Sequence, residues 1–363
     1  MFLKRLVITP GAHTRPQAEL ARDLRARIAD LPGSRQITSV VGFVYERSGI
    51  KQRHFEIDLE EIERHDNWYG LVNQATFALG ARALEQLFSE EISPADCDGL
   101  VVVASSYAGF PSLGRRLQAR FGLPASAPCF DLTGLGCAGP THGLYLAHTL
   151  LEQGACRDVC VLCVDAMGTH GQSRKHREVP VMSQLVAHCL ASDGAAALVL
   201  GKDPGARPLL GYEACSLSSR LWPDSLDLND FTASEDGQPY ISVGSGIRTR
   251  LLEECAVAFT PEVLASPLYL HPGGAALMKI IADRFPELRE TAALSLSVLA
   301  EHGNVGSPSL LWVLDQALAR GLPVGPQVHL FALGPGIVSS MLRLEGALAG
   351  GPGERPAGGA EGR

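Results

Sequence analysis

Asp158-Val-Cys-Val-Leu-Cys-Val164 is an apolar run with one charge at its start. A stretch this short and this continuous is the pattern of a strand buried on both faces. Such a strand needs helices above and below it, and the neighbouring sequence offers them. Gly99-Leu-Val-Val-Val-Ala-Ser105 and Ala195–Leu200 read as further buried strands, and the start Met1-Phe-Leu-Lys-Arg-Leu-Val-Ile-Thr-Pro10 as a first strand. Between them, 73–88 sets Ala75, Leu79, Ala83 and Leu87 near one helical face, and 140–151 does the same with Leu144, Ala147, Leu150 and Leu151. Alternation of this kind predicts an α/β fold with covered sheets.

Gly201-Lys-Asp-Pro-Gly-Ala-Arg-Pro208 breaks the pattern with turn residues. Beyond it the style repeats: a helix after His271, a strand near Leu294–Val298, a helix from Ser309 and a strand near Val328–Leu333. The chain therefore divides into halves at 1–205 and 206–348. The tail, 349–363, is Gly, Pro, Ala and charge, and is expected to be disordered. At 363 residues the chain has enough length for two such halves and a core that needs no staples.

Thirty-one basic residues stand against 39 acidic ones, a net charge of −8, which argues against a nucleic-acid partner held through phosphates. No apolar run approaches the ~18 residues of a membrane span. The apolar start is too short for a secretory signal, so a cytoplasmic protein is expected. Nine cysteines, an odd number, argue against a disulfide framework. Cys156, Cys160 and Cys163 suggest a metal site, but residues three apart on a strand point to opposite faces. Buried, inert thiols are expected there, and no metal.

Three segments carry residues suited to chemistry. Cys137 sits in Thr133-Gly-Leu-Gly-Cys-Ala-Gly-Pro-Thr-His142, between a strand and a helix. A helix N-terminus lowers a thiol's pKa and favours the nucleophilic thiolate; a small core residue in a glycine-rich turn is the alternative. His271 lies in Tyr269-Leu-His-Pro-Gly-Gly-Ala-Ala-Leu277, where an imidazole at a strand end can donate to an oxyanion or exchange protons with a thiol. It can equally be a satisfied structural histidine. Asn304 lies in Glu301-His-Gly-Asn-Val-Gly-Ser-Pro-Ser309; its amide is an uncharged donor for a developing oxyanion, or simply a turn residue.

Taken together, Cys, His and Asn at glycine-rich turns form the constellation of decarboxylative condensing enzymes. With Gly136-Cys-Ala-Gly139, Ser192-Asp-Gly-Ala-Ala-Ala197, His271-Pro-Gly-Gly274, Gly303-Asn304 followed by Leu311-Trp-Val-Leu-Asp315, and Gly334-Pro-Gly336, the sequence resembles the chalcone synthase-like type III polyketide synthases of the thiolase-like superfamily. The resemblance runs from about Leu6 to Leu344, and Ser48-Gly-Ile50 with Arg53 fits its N-terminal region. It implies a five-layered α-β-α-β-α fold of two similar halves, and a homodimer. It also implies that Cys137 takes an acyl group from a thioester, while His271 and Asn304 hold a malonyl-type thioester through decarboxylation and Claisen condensation, with or without cyclisation. Acyl and malonyl thioesters of coenzyme A, or of an acyl carrier protein, would be the substrates, with no permanently bound cofactor.

The departures from the family pattern lie in the cavity. The entrance phenylalanine of the plant enzymes is Ala191 here, and their cavity-lining Glu and Thr give way to Asp165, Met167 and His170. Gly306 in the Asn304 turn and Tyr240 near the entrance complete the expected substrate contacts, with Phe110 reaching into the partner's cavity. A longer aliphatic acyl chain follows from the lost aromatic ring. Lys51 and Arg53, with Arg47, form the basic patch expected to meet coenzyme A or phosphopantetheine phosphates. His142 and His188 are expected to pack, His188 with a backbone partner. Two alternatives stand beside this reading. One is an acyltransferase that passes the acyl group from Cys137 to an alcohol or amine without decarboxylation. The other is a non-enzymatic partner subunit or metal scaffold.

Overall fold

The computed structural model describes residues 1–173, 180, 182–205, 207–233, 239–243, 246–322 and 325–349, without the side chains of 183, 229–233, 239–243, 248 and 349. The expected disordered tail falls outside the described residues, apart from its first backbone position.

Two mixed sheets organise the chain. The first orders its strands Leu348–Ala349, Leu210–Gly211, Phe2–Pro10, Asp193–Gly201, Asp158–Ala166, Gly99–Val103 and Cys129–Leu132. Gly99–Val103 runs parallel to both of its neighbours, and the other pairings are antiparallel. The second sheet orders Leu268–Leu270, Gln327–Gly334, Val338–Glu345 and Ala214–Leu221. Two short strands after residue 205 thus extend the first sheet.

The period-2 rule explains the layering. Val159, Val161 and Cys163 pack into a core shared with Leu144, Ala147 and Trp312, between the two sheets. Cys160, Leu162 and Val164 point the other way, onto Leu79, Leu84 and Leu117 of an outer helical layer. On the far side of the second sheet, Cys255, Phe259, Met278 and Ile281 close a third apolar layer over Leu268, Leu270 and Phe331. The order is helix, sheet, helix, sheet, helix, the five-layered arrangement that the resemblance implies. Cys160 and Cys163 face apart as expected, all nine cysteines are free, and no cluster able to hold a metal ion occurs among the described residues.

One predicted element is different. Leu294–Val298, expected as a strand, lies inside the helix Arg289–His302. Leu-Ser-Leu-Ser-Val alternates as a strand would, but Ala292, Ser295 and Leu299 are buried at helical spacing, and burial along one face decided the outcome. The helix ends at Gly303 and delivers the Asn304 turn.

Candidate active site

Gly136, at φ 48°, turns the chain from the strand Cys129–Leu132 into a short 3-10 turn, Gly136–Ala138, that runs into the helix Gly139–Glu152. A side chain at Gly136 would meet Pro335 at 2.5 Å, so the Gly334-Pro-Gly336 segment can press directly on the cysteine turn. Gly136 N donates to Ser105 Oγ at 3.0 Å, and Pro140 occupies the first helical turn, where a missing N–H costs nothing. Cys137 is half-buried in this turn. Burial, with Asp165 nearby, pushes its thiol up to about 12. The expected low-pKa thiolate is therefore not the resting form: loss of water around the sulfur outweighs the helix terminus.

His271 follows the strand Leu268–Leu270 and is anchored by its backbone N–H to Phe331 O at 2.9 Å. Its ring is buried, and neither ring nitrogen has a hydrogen-bond partner among the described residues. Burial pulls its pKa down to about 3, so the imidazole is neutral at physiological pH. An orphaned buried imidazole costs free energy, which a substrate oxygen can recover. Asn304 is held more firmly. Its N–H donates to Leu190 O and its carbonyl accepts from Ser192 N, both at 2.9 Å, forming a bridge with Ala191. Its side-chain Oδ1 accepts from Gly306 N at 3.0 Å and Ser309 Oγ at 3.3 Å. With the oxygen so engaged, the amide N–H₂ is the group turned to other use.

All three residues line one cavity of about 490 Å³, together with Ala191, Met167 and Gly306. Most of the remaining wall is aliphatic, including Val44, Leu251, Leu277 and Ile281, and no carboxylate lines it among the described residues. Arg47, stacked 4.5 Å over the half-exposed Phe43 ring, is the one charged residue in the wall among the described residues.

Other predicted contacts lie elsewhere. Asp165 is fully buried outside the cavity, and its carboxylate accepts from the N–H groups of Ser105 (2.8 Å), Ser106 (3.1 Å) and Ser307 (2.8 Å). It is a tie between loops; it continues the odd-numbered face of its strand toward the central layer. His170 is also buried away from the cavity, edge-on to Trp68. Arg53 is fully buried rather than phosphate-facing: its Nη1 donates to the carbonyls of His188 at 2.5 Å and Ala191 at 2.8 Å. Lys51 is exposed but paired with Glu301 at 2.5 Å. Phe110 is 99% exposed, at the surface of this chain. The Tyr240 side chain lies outside the described residues. His142 Nδ1 sits 3.0 Å from Ala138 O, and His188 Nδ1 pairs with the Tyr45 hydroxyl at 2.7 Å. Sequence reading missed the aliphatic wall from the helices Ser34–Arg47, Ile247–Ala258 and Ala275–Arg284, whose residues look like ordinary core.

Comparison with known proteins gives the family. A family model described as FAE1/type III polyketide synthase-like protein matches residues 26–214, just over half of the chain. The chain belongs to that family. Over 349 residues, 91% of this chain and 90% of the relative, it is 28% identical to 1,3,6,8-tetrahydroxynaphthalene synthase of Streptomyces peucetius subsp. caesius. Its fold matches the crystal structure of 1,3,6,8-tetrahydroxynaphthalene synthase from Streptomyces coelicolor A3(2) with a TM-score of 0.79, at 20% identity, covering 95% of this chain and 99% of that one. A structure of CsyB complexed with CoA-SH matches equally, with a TM-score of 0.79 at 19% identity and the same coverage. The protein is a condensing acyltransferase of the type III polyketide synthase kind, which joins acyl units by decarboxylative condensation. No helix among the described residues is long and apolar enough to cross a membrane.

Proposed function

We propose that Cys137, His271 and Asn304 carry the condensation in this cavity, and that the starter is an aliphatic acyl thioester. The observation that carries this reading is the convergence of the three side chains on one apolar, carboxylate-free cavity. The Cys137 thiol attacks the thioester carbonyl as neutral His271 accepts its proton and passes it to the departing thiolate; a C–S bond forms and another breaks. The malonyl-type thioester then binds with its carbonyl oxygen between the His271 ring and the Asn304 amide. Loss of CO₂ leaves an enolate on that oxygen, and two uncharged donors stabilise it without quenching it. The enolate carbon attacks the acyl-Cys137 carbonyl, a C–C bond forms, and the cysteine sulfur leaves to regain its proton. Buried apolar walls exclude the water that would protonate the enolate early.

The halves 1–205 and 206–348 divide the labour in this reading, the first bringing the nucleophile and the second both oxyanion donors. The pantetheine arm of a coenzyme A or carrier-protein thioester enters past Arg47 and Phe43. The exposed Phe110, with exposed Tyr69 donating to Ala108 O beside it, seats on a second copy in a cytoplasmic homodimer.

Separating the partial reactions tests the roles. Asn304→Ala is expected to load an acyl group on Cys137 at a near-normal rate, seen by intact mass, and His271→Ala to load it more slowly for want of the proton acceptor; both are expected to release CO₂ from malonyl thioester at least about a hundredfold more slowly, the scale of losing one oxyanion donor. Normal CO₂ release by either variant removes that residue from the site. Product with an alcohol or amine and no CO₂ would instead support transfer without condensation.

Ala191 offers a second test, because its side chain lines the cavity while its backbone bridges Asn304. Ala191→Phe adds a ring to the wall and is expected to cut kcat/KM for long aliphatic starters by roughly 10–200-fold while sparing short ones. Competition between two acyl thioesters of different length reads the ratio directly, and an unchanged ratio removes Ala191 from the acyl path.

A further inference from the structure

A second cavity, of about 580 Å³, opens on the outer face of the second sheet, away from Cys137. Its floor follows from strand register. Across Gln327–Gly334, Val338–Glu345 and Ala214–Leu221, His329 is aligned with Arg343, and Arg343 with Ser216. The adjacent outward row on these strands is Phe331, Met341 and Ser218. One row thus offers an imidazole, a guanidinium and a hydroxyl side by side; the next offers a phenyl ring and a thioether. All six residues line the cavity, which the helix Ile247–Ala258 and the short helix Pro261–Leu264 wall off with Val257 and Val263.

His329 gives the row its chemical direction. It is only 2% exposed, and its Nδ1 is itself buried with no hydrogen-bond partner among the described residues, while another edge of the residue lines the cavity. Burial, aided by Arg343, lowers its pKa, and an anion placed beside the ring would raise it again. The acids nearby do not cancel the row. Glu254 is buried with both oxygens engaged, by Ser339 Oγ and Trp222 Nε1. Glu345 takes one edge of the Arg343 guanidinium, a fork with five N–H donors. Glu262 lines the wall on the helix side, and Arg220, over the Trp222 ring, is the second guanidinium of the lining.

We propose that this cavity binds a small carboxylic acid with an apolar body, its carboxylate along the His329–Arg343–Ser216 row and its body over Phe331 and Met341. The volume suits such a ligand, and a bidentate guanidinium contact gives the orientation. The site is separate from the thioester cavity, with Phe331 standing in the wall of both.

Benzoate is the probe, and the imidazole nitrogens of His329, followed by NMR in the full chain, are the readout. Benzoate is expected to shift His329 saturably and raise its pKa, whereas benzyl alcohol, of the same shape without charge, leaves it unmoved. Arg343→Gln should weaken benzoate by roughly tenfold or more, the scale of a charge-assisted hydrogen bond. Ser216→Glu, at an exposed position, should abolish binding by placing a like charge in the row. No saturable His329 shift, an equal response to the alcohol, or full affinity in the Ser216→Glu protein overturns the assignment. So does benzoate moving His271 alone, which would place it in the thioester cavity.

Discussion

A Cys137→Ala protein is expected to fold normally and to gain no mass after exposure to any acyl thioester, with condensation down by three to six orders of magnitude, roughly the scale of removing a covalent nucleophile. The half-buried position and the neighbouring glycine turns tolerate a methyl in place of a thiol, so loss of activity would not reflect unfolding. The wild-type protein makes the companion argument through pH. With the thiol pushed up to about 12 and the His271 imidazole pulled down to about 3, the cavity is lined by a thiol and a neutral ring and not by an ion pair. Thiolate is the reactive form, so alkylation of Cys137 by iodoacetamide should rise about tenfold per pH unit from 7 to 9, with no inflection near 6.5. Peptide-level mass spectrometry separates this signal from half-buried Cys129, whose thiol is pushed up to about 11. A rate that is flat between pH 6 and 8 would mean that the thiolate–imidazolium pair forms before substrate arrives, and the proton transfer to His271 would then precede acyl binding.

The contrast between the catalytic trio and its surroundings shows what a linear sequence carries. Cys137, His271 and Asn304 each sit in a turn of small residues after a strand or helix, and such turns are visible as clusters of Gly, Pro and Ser. That they meet depends on two sheets stacking face to face, which the alternation of buried strands and amphipathic helices already implied. Asp165 is expected in the cavity only because it stands where the family's lining Glu and Thr stand; a resemblance gives a position but not a face, and Asp165 shares the parity of Val161 and Cys163, which turns it toward the central layer. Arg53 was misread for a different reason. A guanidinium in a run with Lys51 and Arg47 looks solvated, and only the pairing of Gln52–Phe55 with His13–Pro16 carries it inside. The aliphatic wall was invisible because a leucine lining a cavity and a leucine in a core obey the same periodicity.

Arg53 is expected to matter both for stability and for decarboxylation. The residue is fully buried with its guanidinium between the Tyr45 and Phe55 rings, at 5.7 and 5.5 Å, and no carboxylate within ion-pair distance among the described residues. Desolvation lowers its pKa, and the two carbonyls it serves belong to His188 and Ala191. Ala191 is bridged to Asn304, and Gly303 leaves only 3.1 Å between its own missing Cβ and Arg53 Cγ. The arginine therefore underpins the turn that presents the Asn304 amide. Arg53→Met keeps the length but orphans two buried carbonyls, at about 2–4 kcal/mol of stability, measurable by denaturant unfolding. The same variant should load Cys137 at near-normal rates yet decarboxylate malonyl thioester poorly, because the cysteine turn is held by Ser105 and Pro335 while the asparagine turn has lost its support. A phosphate-binding arginine would behave in the opposite way. Its loss would leave stability intact and raise KM for coenzyme A thioesters, with no effect on a short thioester that lacks the nucleotide. Unchanged stability together with such a selective KM effect would return Arg53 to the surface role that its sequence neighbours suggest.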